Sequence, residues 1–102
     1  MQHAIVVSVK IRDKDLKAYL YGGPYPKRYP PALERPLKRK LQLLKAADSL
    51  KDLSAPPGNK LERLKGNLQG YWSIRVNKQW RLIFHWNIKT REAIDVYFAD
   101  YH

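Results

Sequence analysis

The segment AIDVYFADYH, residues 93–102, passes from strand-like alternation straight into Asp100, Tyr101 and His102. A carboxylate, a phenol and an imidazole side by side can accept, donate or orient a proton. Imidazole does so near neutrality, with an unperturbed pKa of about 6.5. Upstream, Glu62, Lys65 and Arg81 add a second carboxylate and two cations. Cutting RNA without a metal asks for such a set: a base for the 2′-hydroxyl proton, a cation for the phosphorane and an acid for the departing 5′-oxygen. By residue type, Glu62, Lys65, Arg81, Tyr101 and His102 cover those roles.

Other chemistries are poorly supplied. There is no cysteine, which removes thiolate catalysis, disulfides and cysteine-based zinc sites and suits a reducing compartment. His3, His85 and His102 are scattered, without a metal-binding spacing, and neither a glycine-rich phosphate loop nor a serine elbow is present. No cofactor and no metal are expected. Twenty Lys and Arg against nine Asp and Glu give a net charge of +11, a field that draws polyanions, nucleic acid first. The apolar run AIVVSV is too short to cross a bilayer and lacks the flanks of a signal peptide, so no membrane is expected and the cytoplasm is the default.

These residues need a scaffold, and 102 residues suit a single domain spanning 1–102. Ile5, Val6, Val7, Val9 and Ile11 predict an opening strand. DKDLKAYLYGG predicts a short helix, with Asp13 as N-cap and Gly22-Gly23 as the stop. GGPYPKRYPP, residues 22–31, reads as rigid loop. Leu33, Leu37, Leu41, Leu44 and Ala47 mark one face of a longer helix that starts close to Pro36. Its basic face, with Arg35, Lys38, Arg39 and Lys45, reads first as a solvated surface. SAPPGNK, residues 54–60, reads as a second loop.

Beyond it the period falls to two. Trp72, Ile74 and Val76 share one face of a strand, and Trp80, Leu82, Phe84 and Trp86 one face of the next, with a turn at Asn77 to Gln79. NIKTRE turns again, and Ile94, Val96 and Phe98 supply the apolar side of a last strand. The expected fold class is α+β: two N-terminal helices packed as one layer on a small antiparallel β-sheet. Alternation then sends Tyr71, Ser73, Arg75, Arg81, His85 and Tyr97 to the opposite face. Guanidinium groups there suit phosphate oxygens and aromatic rings suit bases. Water alone also explains a polar sheet face, but two arginines on adjacent strands of so basic a chain favour binding. The three tryptophans, by parity, are core residues first; Tyr71 and Tyr97 are the better stacking platforms.

PPGNKLERLKGNLQGYWSIRVNKQWRLIFHW, followed by DVYFADYH, resembles the HigB-type toxins of the RelE/ParE toxin–antitoxin superfamily, also called plasmid maintenance killer proteins. The most specific pieces are LKG at 64–66, GYWSIRV at 70–76, WRLIF at 80–84 and the terminal DYH. The resemblance runs from about Pro31 to the C-terminus and is loose over residues 1–30. It implies a RelE-like fold and a ribosome-dependent endoribonuclease that cleaves translated mRNA and stops growth. It also implies a cognate HigA-like helix-turn-helix antitoxin as partner, besides ribosome and mRNA. Carried over by position, Lys65 matches a basic RNA contact and Arg81 the arginine at the scissile phosphate. Asp100, Tyr101 and His102 match the C-terminal group, with the histidine as acid or base and the tyrosine orienting or stacking. Lys60, Arg75, Lys78, His85 and Asp100 complete the expected RNA contacts.

Where many relatives read Leu-His-Pro-Leu-Lys-Gly, this chain reads Leu61, Glu62, Arg63, Leu64, Lys65, Gly66. Glu62 thus stands in for an imidazole, either as the general base or as a salt-bridge partner of Arg63 or Lys60. Two alternatives stay open: a toxin-fold protein without catalysis, or a ParE-like binder acting on gyrase or nucleic acid.

Overall fold

The computed structural model describes residues 9–101; most of the expected opening strand, together with His3 and His102, lies outside the described residues. Helix α1 spans Lys14–Leu20, α2 Glu34–Ala46 and α3 Leu50–Ser54. Four strands follow, β1 Glu62–Arg63, β2 Trp72–Arg75, β3 Trp80–Asn87 and β4 Glu92–Asp100, in the spatial order β1-β2-β3-β4. Every neighbouring pair is antiparallel.

The leucine stripe behaves as its spacing dictates. Leu33, Leu37, Leu41, Leu44 and Ala47 are all buried, against Leu16, Ile74, Leu82, Phe84, Val96 and Phe98. Each fully buried side chain of this kind contributes about 1.5–3 kcal/mol, so the stripe is the main glue between helix and sheet. Pro36 is the third residue of α2, inside the first turn, where its missing N–H costs no helical bond. Trp72, Trp80 and Trp86 pack against the same core, and Trp80 meets Phe98 with ring centroids 4.7 Å apart.

Several expectations need correction. Asp13 occupies the N-cap position of α1, but its side chain makes no cap bond; its carboxylate accepts instead from Arg28 Nη2 at 3.1 Å. A competing guanidinium wins over the helix end. The stretch read as a second loop begins at the end of a third short helix, α3, whose N-cap Ser49 accepts from the Asp52 N–H. The expected three-stranded meander gains a fourth strand among the described residues, because the two-residue β1 adds an edge, Glu62 opposite Ser73 and Arg63 opposite Trp72. Two residues are too few to show an alternation.

Ile94 does not share a face with Val96 and Phe98. The register slips between Ile83 and His85, where Asp95 and Val96 together face Phe84, and Asp95 takes the left-handed φ of 53°. This bulge puts Ala93, Val96 and Phe98 in the core and sends Ile94 to the outer face opposite His85. The described end of the N-terminal segment lies along β4 there. Lys10 N–H donates to the Ala93 carbonyl at 3.0 Å and Arg12 N–H to that of Val96 at 2.8 Å.

Both hairpin turns start from an asparagine, as the sequence pattern predicts. The Asn77 side-chain oxygen accepts from the Gln79 and Trp80 N–H groups, and that of Asn87 from Lys89 and Thr90. Among the described residues no helix is long and apolar enough to cross a membrane.

Candidate active site

The outer face of the sheet, away from the helices, is where the cations gather. Arg81 sits on β3 directly opposite Arg75 on β2. Like charges facing each other across a ladder are destabilising. Arg75 Nε donates to the Asn77 carbonyl at 3.2 Å, which turns it toward the hairpin.

Arg81 is far more constrained. Its Nη1 donates to Ser73 Oγ at 2.7 Å and to the Lys60 carbonyl at 3.2 Å, and lies 3.9 Å from Glu62 Oε1. Only 15% of the Arg81 side chain meets solvent, against 55% for Glu62. The guanidinium is thus held by neutral acceptors, with an exposed carboxylate at its edge. Ser73, fully buried on the outer face opposite the equally buried Ile83, is there by strand parity and serves as the anchor.

The Lys60 carbonyl is itself fixed. Lys60 adopts the left-handed φ of 46°, and the preceding Asn59 is completely buried. Asn59 Nδ2 donates to the Leu53 carbonyl at 2.8 Å, and Asn59 Oδ1 accepts from the Lys40 ammonium. Burial pushes the Lys40 pKa down. This polar knot ties α2 and α3 to the start of the sheet, and so to Arg81.

The C-terminal end reaches the same region. Tyr101 N–H donates to the Gln79 carbonyl at 2.8 Å, which continues the β3–β4 pairing past Asp100, itself opposite Trp80. Tyr101 then lines an open cleft of about 390 Å³ with Glu62, Arg63, Leu64 and Lys65. Glu62, Lys65 and Tyr101 are therefore brought together, and Glu62 connects them to Arg81. Glu62 finds its partner in Arg81, not in Arg63 or Lys60 as its local sequence had offered. Arg63 instead lays its guanidinium 5.3 Å over the Trp72 ring.

Other expected contacts lie further off. Lys60 and Lys78 are exposed, Lys78 within the β2–β3 turn. His85 lies four residues along β3 from Arg81, a span of roughly 13 Å, and packs its ring on Tyr71 with centroids 3.9 Å apart. His102 lies outside the described residues.

A second polar cluster occupies that far end. Arg12 holds Asp95 in bidentate fashion, Nε to Oδ1 and Nη2 to Oδ2, each at 2.9 Å, and its guanidinium lies 3.9 Å over the Tyr97 ring. The Tyr71 hydroxyl donates to Asp95 Oδ2. The Arg12 hydrogen bonds hold the Asp95 carboxyl at about 2, and the bond to Asp95 pushes the Tyr71 phenol up. Tyr71 and Tyr97, expected as stacking platforms, each already have a ring face occupied. The pairing of Arg12 with Asp95 carried no sequence signal: they are 83 residues apart, and Arg12 lies outside the stretch that carries the resemblance. Ser73 did carry one, since alternation put it on the face of the arginines.

Residues 9–102 match the family described as the RelE-like toxin of the type II toxin–antitoxin system HigB. Toxin HigB-1 of Vibrio cholerae serotype O1 is 45% identical over 80 residues, which cover 78% of this chain and 84% of that protein. An uncharacterized protein of Haemophilus influenzae is 44% identical over 66 residues, 65% of this chain and 64% of that protein. In fold, the chain resembles the YoeB–YefM complex from Staphylococcus aureus, with a TM-score of 0.51 at 20% identity over 94% of this chain and 97% of the other. The α+β class with an antiparallel sheet is thus as expected, and the chain belongs to the HigB-like family of RelE-like toxins of type II toxin–antitoxin systems.

Proposed function

We propose that this toxin is a ribosome-dependent mRNA endoribonuclease that cuts translated message by acid–base chemistry and so inhibits growth. The observation that carries the reading is the largely buried Arg81 guanidinium, fixed by Ser73 and Lys60 beside a carboxylate that lines the cleft of Lys65 and Tyr101. In this scheme Glu62 takes the 2′-hydroxyl proton as the 2′-oxygen attacks phosphorus. Arg81 and Lys65 hold the equatorial oxygens of the phosphorane, where negative charge grows. The 5′-oxygen leaves with a proton from His102, and Tyr101 orients the reacting nucleotide. The products are a 2′,3′-cyclic phosphate and a 5′-hydroxyl. Side chains perform every step, and none is routed through a metal.

The net charge of +11 supports docking on a polyanionic ribosome, with Lys60, Arg75, Lys78 and His85 as further RNA contacts. A type II toxin also calls for an antitoxin, which we take to be a HigA-like helix-turn-helix protein encoded beside it. The whole chain acts as one cytoplasmic domain. Mapping 5′-hydroxyl ends on a defined mRNA, in a reconstituted translation system and on free RNA, tests the reading. Cuts that need the ribosome are expected. Intact message alongside stalled gyrase would instead assign the protein to a ParE-like activity.

A further inference from the structure

A second cleft adjoins the first, and apart from Lys65 its lining has no part in the scheme above. It encloses about 490 Å³, within the range of about 300–1,000 Å³ that small ligands occupy, and is lined by Arg63, Leu64, Lys65, Gly66, Gln69 and Gly70. Arg63, Leu64 and Lys65 form the wall it shares with the cleft of Glu62 and Tyr101. Its lining holds two cations, one carboxamide and no carboxylate. That set suits an anion with hydrogen-bonding edges, which is what a nucleotide offers.

The walls are set before any ligand arrives. Leu64 is 3% exposed and its N–H donates to the Tyr71 carbonyl at 2.9 Å, while Tyr71 N–H donates back to Leu68 at 2.9 Å. Gln69 N–H closes a turn on the Gly66 carbonyl at 3.1 Å. Gly70, with φ of 95°, approaches His85 so closely that a Cβ would meet its Cε1 at 3.1 Å. Only glycine gives the cleft this outline. Arg63 is oriented by the Trp72 ring beneath it.

We propose that this cleft holds the nucleotide adjoining the scissile phosphate, with Arg63 on its phosphate, Lys65 on the shared wall at the scissile group and the Gln69 carboxamide reading its base. This deepens, and rests on, the endoribonuclease reading. Cations on phosphates fix register but carry no sequence information; base edges carry it. Gln69 is the one uncharged side chain in the lining that both donates and accepts, so with the cations engaged on phosphate it is the group left to read a base edge in bidentate fashion.

Two measurements test this. The first maps cleavage over an mRNA pool randomised around the cut, in a reconstituted translation system, for the wild type, Gln69→Ala and Arg63→Ala. The wild type is expected to show a base preference of about tenfold at one position beside the cut. In Gln69→Ala the ratio of cut frequencies at that position falls toward one, while Arg63→Ala lowers cutting evenly across sequences. An unchanged preference in Gln69→Ala overturns the proposal while leaving the nuclease reading in place. The second follows the Gln69 side-chain and Gly66 and Gly70 backbone N–H resonances during titration with a 2′-O-methyl trinucleotide, which cannot be cleaved. Saturable shifts of those signals are expected, and signals that stay still through the titration overturn the assignment even if no RNA is ever cut.

Discussion

Replacing Asp95 by Asn isolates the ion pair that fastens the N-terminal segment to the bulge of β4. Asparagine tolerates the left-handed backbone at this position, so the change removes charge without straining the chain. Asp95 is held at about 2 against an ordinary 3.8, and at ~1.4 kcal/mol per pKa unit that shift corresponds to ~2.5 kcal/mol. Solvent reaches 44% of the Arg12 side chain and 36% of Asp95, and screening at such exposure cuts the contribution to about 1 kcal/mol. For a domain of this size that is a fall of roughly 4–8 °C in Tm at neutral pH. A carboxylate with a depressed folded pKa stabilises above its unfolded value and loses that contribution as pH falls through the folded one. The difference between the two proteins should therefore be complete above about pH 5 and shrink between about pH 4 and pH 2. Urea unfolding across that range, followed by tryptophan fluorescence, reads it directly. Equal stabilities at pH 7, or a gap undiminished at pH 2, would refute the reasoning.

Glu62→Gln keeps the side-chain shape but cannot accept the 2′-hydroxyl proton; cleavage is expected to fall by about 10²–10⁴-fold, and an undiminished rate removes Glu62 from the mechanism. Asn59→Ala strips the Lys40 ammonium and the Leu53 carbonyl of their partner at a fully buried position. A loss of about 2–3 kcal/mol is expected by chemical denaturation, with Arg81 looser because the Lys60 carbonyl moves with its neighbour. Native-like stability in Asn59→Ala would show that the polar knot is idle.

How much of this was legible in advance depended on how local each cause is. Leu33 to Ala47 declared their helix because a stripe at threes and fours is a property of one segment, and Asn77 and Asn87 declared their turns for the same reason. Ile94 was misplaced because the bulge at Asp95 interrupts the period of two, and what holds the bulge is a guanidinium from the other end of the chain. Glu62 and Lys65 could be nominated by type and by resemblance, yet the partner of Glu62 could not. Contact with Arg81 requires β1 to pair with β2, and a two-residue strand has no pattern to read. The Ser73 anchor lay in plain view on the arginine face, but a lone serine between tryptophan and isoleucine gives no hint that a cation will bury it.

In the function proposed here, Arg81, fixed beside the carboxylate that lines the cleft, stabilises the transition state of RNA cleavage rather than the fold. The most direct test is the single-turnover rate of mRNA cleavage on a programmed ribosome by Arg81→Ala, with its circular dichroism and melting compared with wild type. Loss of an electrostatic donor to the phosphorane predicts a rate lower by about 10²–10³-fold in a folded protein. A folded Arg81→Ala protein that cleaves at the wild-type rate would contradict the account.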